Sequence, residues 1–281
     1  RYASRGLGDV YKRQPPKGLS RRDSLRWLAY GDKGQYWSPN DTLKGDDLKY
    51  WKFQTYIKDY LRCVAGVDRA VGSVLDYLDE NGLSENTIVV YTSDQGFYLG
   101  EHGWFDKRWM YEESFKMPFL IKNPRVIKAG TTSDAMLMNV DFAPTLLDMA
   151  GIEIPGEMQG KSFKEVFGGN QKNKRKSVYY HYYEYPIWHK VQPHYGVKTN
   201  RYKLMHFYYT MDEWELYDLK TDPNEMNNIY SDAPQDLIDS LKKELEALRK
   251  EYKDDDSLEQ MRRMTDTVIK RVYNEPNKIM K

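Results

Sequence analysis

Asp94 and Gln95 stand side by side in Tyr91-Thr92-Ser93-Asp94-Gln95-Gly96, and Lys107 follows them within one glycine-rich stretch, Leu99-Gly100-Glu101-His102-Gly103-Trp104-Phe105-Asp106-Lys107. A carboxylate next to an amide offers adjacent oxygen ligands of the kind that a hard divalent cation prefers. A lysine on the same loop system supplies a mobile positive charge for an anionic oxygen group. Together they suit chemistry on a sulfate or phosphate ester. Isolated, Asp94 would read as a turn residue and Lys107 as a solvated surface cation, so the weight lies in their combination. The run Thr87-Ile88-Val89-Val90-Tyr91 before them is β-branched and aromatic and predicts a short buried strand. In open α/β sheets ligands bind where strands end at their carboxyl edge, and Asp94 and Gln95 fall there.

The elements that must hold this loop are legible on either side of it. Tyr56, Tyr60, Val64, Val67, Val71, Val74, Leu75 and Leu78 recur at helical spacing and predict an amphipathic helix over 47–81, closed by Asn81-Gly82. Cys63 beside this stripe reads as a small buried hydrophobe. A short helical segment is expected near Trp109–Phe115, then a second buried strand, Pro118-Phe119-Leu120-Ile121. Asp141 before Phe142-Ala143-Pro144 predicts a helix start with a capping carboxylate, running to Gly151. The polar joint Gly168–Lys176 is the candidate boundary between subdomains. Beyond it, Val178–Tyr185, Gly196–Tyr208 (broken at Thr199-Asn200) and Glu215–Leu219 predict an antiparallel sheet. A helix over 235–252 follows, with Leu237, Leu241, Leu245 and Leu248 on one face; residues 253–281 pack as a helix or stray loosely and carry no assigned function.

Composition bounds the function. With 43 Lys+Arg against 42 Asp+Glu there is no global field favouring nucleic acid. No apolar run is long enough to span a bilayer, and the single cysteine excludes an internal disulfide framework. The aromatic content is high, with 24 tyrosines and 7 tryptophans, and much of it falls between Tyr179 and Tyr217, where it fits a tyrosine-rich sheet or a sugar-stacking surface. Residues 1–14 read as a non-native leader and are set aside.

Ser93-Asp94-Gln95-Gly96, Leu99–Gly103 and Asp106-Lys107 closely resemble the type I, formylglycine-dependent sulfatases of the alkaline-phosphatase superfamily, most of all the bacterial N-acetylglucosamine-6-sulfatase or mucin-desulfating group. The resemblance continues through Asn139–Gly151, Gln159-Gly160-Lys161-Ser162, Gly196–Leu204 and Glu215–Pro223. It implies the C-terminal part of an α/β/α sandwich over 15–168 and a smaller antiparallel-sheet subdomain with a packed helix over 169–281. It implies calcium on Asp94 and Gln95, Lys107 as a clamp on a sulfate oxygen, and a sulfated carbohydrate as substrate. Histidine in place of Gln95 would mark the related phosphatases and phosphonate or phosphodiester hydrolases. His102 either donates to a sulfate or leaving-group oxygen or holds the Gly100–Gly103 turn. Arg108 and Trp104 flank the pocket and His194 is the candidate sugar contact, whereas His181, His189 and His206 read as sheet or loop histidines. The family's Cys/Ser-x-Pro-x-Arg nucleophile motif is absent, since Cys63 is followed by Val64-Ala65-Gly66-Val67, and so are its paired N-terminal aspartates and upstream sulfate-binding histidine. The expectation is that these residues alone neither bind calcium tightly nor turn over sulfate esters. A secreted or periplasmic setting is implied for the complete enzyme. A phosphodiesterase or phosphonate hydrolase, or a non-catalytic glycan-binding module, are the alternatives.

Overall fold

The computed structural model describes residues 42–168, 175–185 and 191–274. The proposed leader, the joint at 169–174 and His189 lie outside them. The chain divides into two compact units, residues 1–80 and 81–281. In the first, helix α1 spans Gly45–Glu80, with Asp46 and Asp47 in its first turn, where negative charge favours the helix dipole. The chain leaves it through Gly82 at φ 65°, the left-handed conformation that glycine adopts freely. The helix lies where its apolar spacing predicts, but none of its residues is buried. Cys63 is exposed, which corrects its reading as a buried hydrophobe: periodicity names a face but not what covers it.

The second unit begins with β1, Val89–Thr92, paired antiparallel with β4, Phe119–Lys122. Both strands form as their β-branched and aromatic residues predict. They are not fully buried, however: Val90 on one face and Tyr91 and Leu120 on the other are exposed, and among the described residues this sheet has only two strands. Between them, β2 (Tyr98–Leu99) and β3 (Phe105–Asp106) form a short ribbon, and α2 occupies Glu112–Phe115. Helix α3 spans Phe142–Met149 and stops at Gly151, φ 72°, and α4 spans Lys164–Phe167.

Asp141 precedes α3 but makes no side-chain cap to it. Its buried carboxylate instead accepts the Met138 amide at 2.8 Å, the Lys161 amide at 2.9 Å and both terminal nitrogens of Arg175. The capping assignment is thus corrected: a strong cation and two amides outcompete the helix end for the same oxygens.

A four-stranded antiparallel sheet, β5 (Ser177–Tyr182), β6 (His194–Thr199), β7 (Tyr202–Tyr208) and β8 (Asp212–Asp218), follows in sequence order. Its two faces do different work because side chains alternate along a strand. Tyr195, Val197, Leu204, Tyr208 and Leu216 meet Ile238, Leu241, Leu245 and Leu248 of α5, Gln235–Glu251. Met261 of α6, Leu258–Asn274, completes that core. On the opposite face Met205, Phe207 and Tyr217 pack with Tyr98, Met110 and Tyr111. Strand β7 is therefore covered on both sides, and its second face holds the segment that carries the candidate site.

Candidate active site

Gly96 fixes the loop after β1. Its amide donates to the Ser114 carbonyl of α2 at 2.9 Å. A Cβ at this position would run into the Glu113 carbonyl oxygen and lie 2.8 and 2.9 Å from those of Lys116 and Ser114, so only glycine permits the approach. The loop tightens further where the Ser93 hydroxyl donates to the Gln95 carbonyl at 2.9 Å. Asp94 and Gln95 are thereby set just past the strand end, as their spacing predicts.

The Asp94 carboxylate is exposed, and its Oδ2 lies 3.5 Å from Lys107 Nζ. The Lys107 charge, helped by the Ser93 hydroxyl, holds the Asp94 pKa below the usual carboxylate value, so the group is an anion throughout the neutral range. Gln95 Nε2 donates to the Lys107 carbonyl and, at 3.1 Å, to Ser114 Oγ. With both amide hydrogens committed, the atom Gln95 can offer a cation is its oxygen. The structure thus brings Asp94, Gln95 and Lys107 together although Lys107 lies 12 residues beyond Gln95.

The β2–β3 ribbon carries Lys107 back to that place. Its turn is left-handed at Gly103 (φ 76°) and at His102 (φ 54°), an uncommon conformation for a non-glycine residue. The Leu99 amide donates to Glu101 Oε2 at 2.6 Å and closes the turn. The His102 ring stacks on Tyr111 with centroids 4.6 Å apart, and its Nε2 lies 3.5 Å from Glu113 Oε2. His102 thus joins the site through α2.

Trp104, Arg108 and His194 form a neighbouring aromatic layer rather than part of the Asp94–Lys107 group. Trp104 stacks on Trp109 at 4.4 Å, and Trp109 stacks on His194 at 5.7 Å. Arg108 reaches toward Asp106 at 3.7 Å and Glu184 at 3.5 Å. His194 has no exposed surface, and its Nδ1 lies 2.8 Å from the Gln192 carbonyl. Burial pushes its pKa down to about 4. In this conformation it packs against other rings and offers nothing to a sugar.

A cleft of about 500 Å³ opens beside the site, with Asp94, Gln95 and Ser114 along one wall and Tyr179, His181, Tyr183 and Asp254 along another. Asp254 Oδ2 receives the hydroxyls of Tyr179 and Tyr183 at 2.7 and 2.6 Å and faces His181 Nδ1 at 2.7 Å. Sequence reading missed this cluster, and also Glu113 and Ser114. Their signal is an unbroken polar run, Glu112-Glu113-Ser114, set between aromatic residues, which says nothing of its partners.

Asp94 and Gln95 fit a hard cation in donor type but not in number, since such an ion takes six or more oxygens. Among the described residues no group of three or more His, Cys, Asp or Glu side chains could hold a metal.

Two family models match the chain: "Sulfatase" over residues 14–152, and "N-sulphoglucosamine sulphohydrolase, C-terminal" over residues 100–251, more than half of the chain. An N-acetylglucosamine-6-O-sulfatase of Bacteroides thetaiotaomicron is 51% identical over 254 residues, covering 89% of this chain and 45% of that protein. An arylsulfatase of Clostridium perfringens is 32% identical over 207 residues, covering 71% and 42%. A solved structure of a protein in complex with its substrate D-glucosamine-2-N,6-O-disulfate superposes with a TM-score of 0.77 at 49% identity, covering 92% of this chain and 52% of its own. The chain spans about half the length of the curated relatives it matches.

Proposed function

The chain belongs to the sulfatase family, and from that premise we propose that the protein is a sulfuric ester hydrolase acting on sulfated glycans, with 6-O-sulfated N-acetylglucosamine as the substrate class. The observation that carries the proposal is the grouping of an anionic carboxylate, an amide oxygen donor and an ammonium at one strand end, Asp94 Oδ2 lying 3.5 Å from Lys107 Nζ. The 51% identity to an N-acetylglucosamine-6-O-sulfatase supports the sugar and the sulfate position.

A metal ion is the family's cofactor, and we assign calcium on the chemistry of the donors. Asp94 and Gln95 would hold it with two oxygens, the remainder coming from elsewhere in the complete enzyme. Bound there, calcium supplies positive charge for the sulfuryl oxygens. Lys107 supplies a second cation to the same oxygens, and its ammonium lowers the Asp94 pKa further below the ordinary carboxylate value. The proposed role of His102 is to donate toward a sulfate or leaving-group oxygen, and its stacking on Tyr111 beside Glu113 supports a fixed ring orientation. Trp104 and Arg108, in the neighbouring layer, are the proposed sugar contacts of the complete enzyme. The nucleophile, a formylglycine, would come from elsewhere in the complete enzyme. The complete enzyme is secreted or periplasmic on this reading.

The test is sulfate release by the full-length protein from 6-O-sulfated N-acetylglucosamine. Release should need calcium and fall by at least about a hundredfold in Asp94→Ala, as removing an electrostatic stabiliser of the transition state does. Faster turnover of a phosphate ester or a phosphonate than of the sulfated sugar would refute it.

A further inference from the structure

An ionic knot lies between the metal-side loop and the antiparallel sheet, outside every residue given a role above. Lys203 of β7 is wholly enclosed. Its Nζ is 2.8 Å from Glu112 Oε1 and 2.7 Å from Glu225 Oε1. Lys198 on the neighbouring strand reaches the other Glu112 oxygen at 2.8 Å. Glu225, buried with a left-handed φ of 52°, turns its Oε2 to accept the Glu112 amide at 2.6 Å. Lys203 Nζ also stands 5.5 Å from the centre of the Phe115 ring, at the far end of α2. The whole of this four-residue helix is thus tied to β7 through one ammonium and its partners.

The remaining groups of α2 point the other way. The Ser114 carbonyl holds the Gly96 amide, Ser114 Oγ holds the Gln95 amide, and Glu113 Oε2 stands beside His102 Nε2. Stability alone does not account for charges here, because well-packed apolar residues of similar volume are commonly as stable as a buried ion pair or more so. What these contacts add is placement: the Glu112 carboxylate is held between Lys198 and Lys203, and its amide is held by Glu225.

We propose that Lys203 is a positioning residue for the candidate site: through Glu112 and Glu225 it fixes α2 on the sheet, and α2 in turn sets where Gln95, Gly96 and His102 stand. The value of that placement for sulfate chemistry rests on the functional reading above, but the coupling itself does not.

Amide hydrogen exchange tests the coupling without any substrate. In Lys203→Met, peptides covering Ser93–Gly96 should exchange roughly tenfold faster than in the unaltered protein once normalised to the α5 amides, which report global opening. Lys203→Arg, which keeps the charge and can bridge both carboxylates, should return that rate to within about threefold. If Lys203→Met does not fold, Glu225→Gln carries the same comparison, since its amide oxygen still accepts the Glu112 N–H while one ion pair is lost. Loop and α5 amides quickening by the same factor would overturn the proposal. A result in its favour stands whether or not the full-length protein releases sulfate, so the two readings fail separately.

Discussion

Lowering the pH should destabilise the protein through His194 in a window that can be read from its surroundings. The ring is enclosed by Trp109, Tyr180, Tyr182 and Phe207, with centroids 5.0 to 5.7 Å away. Burial pushes its pKa from 6.5 down to about 4, the Gln192 carbonyl opposing weakly. Between those values the unfolded chain binds a proton at this residue and the folded protein does not. Stability is therefore whole above pH 6.5 and is lost as the pH falls toward 4. At pH 4.5 this one group costs about 2.5 kcal/mol, from about 1.4 kcal/mol for each unit of displacement. His206 adds to the same trend, because burial lowers its pKa as well, so the test is a difference. Urea unfolding is followed at pH 7 and pH 4.5 for the natural protein and for His194→Asn, which keeps a donor for the Gln192 carbonyl. The lost ring packing lowers the variant at both pH values and cancels. The natural protein should lose more than the variant by an amount that moves its midpoint on the order of 1 M urea. Parallel losses in the two proteins would refute the reasoning.

Two further substitutions test the frame around the site. Gly96→Ala should destabilise by at least about 2 kcal/mol, since the new methyl group meets three carbonyl oxygens of α2 and the Lys116 turn; thermal unfolding reads the loss, and a midpoint within a degree of the natural one would contradict the geometry. Asp141→Ala should cost about 3–5 kcal/mol, because it leaves the half-buried Arg175 guanidinium without its carboxylate and two amides without an acceptor; urea unfolding measures it.

What the sequence made legible was local. The run Thr87–Tyr91 gave β1, the leucine stripe gave α5, and Asp94-Gln95-Gly96 with the glycines that follow gave the loop that carries Asp94, Gln95 and Lys107. What it hid were contacts over long separations. Glu225 and Glu112 meet across 113 residues. Asp141 reads as a helix cap because the cap is the partner nearest in sequence, whereas Arg175, 34 residues on, takes its oxygens. Cys63 fails for the same reason in reverse, since a helical stripe carries no record of what covers it.

The two-sided covering of β7 also decides how the tyrosine-rich sheet should be read. A stacking platform for sugars would leave one face of aromatic rings open. Here Val197, Leu204 and Leu216 lie under α5 on one face, and Met205, Phe207 and Tyr217 lie against Tyr98, Met110 and Tyr111 on the other. The tyrosine hydroxyls are spent internally as well: Tyr111 and Tyr217 share Glu215 Oε2 at 2.7 and 2.9 Å, and Tyr179 and Tyr183 share Asp254 Oδ2. Burial raises the pKa values of Tyr111 and Tyr217 and keeps these groups neutral donors. Rings and hydroxyls committed in this way build a wall for the loop between β1 and α2. Packing thus closes both faces of β7, and the tyrosines that reach the cleft beside Asp94 and Gln95 include Tyr179 and Tyr183 at the β5 edge.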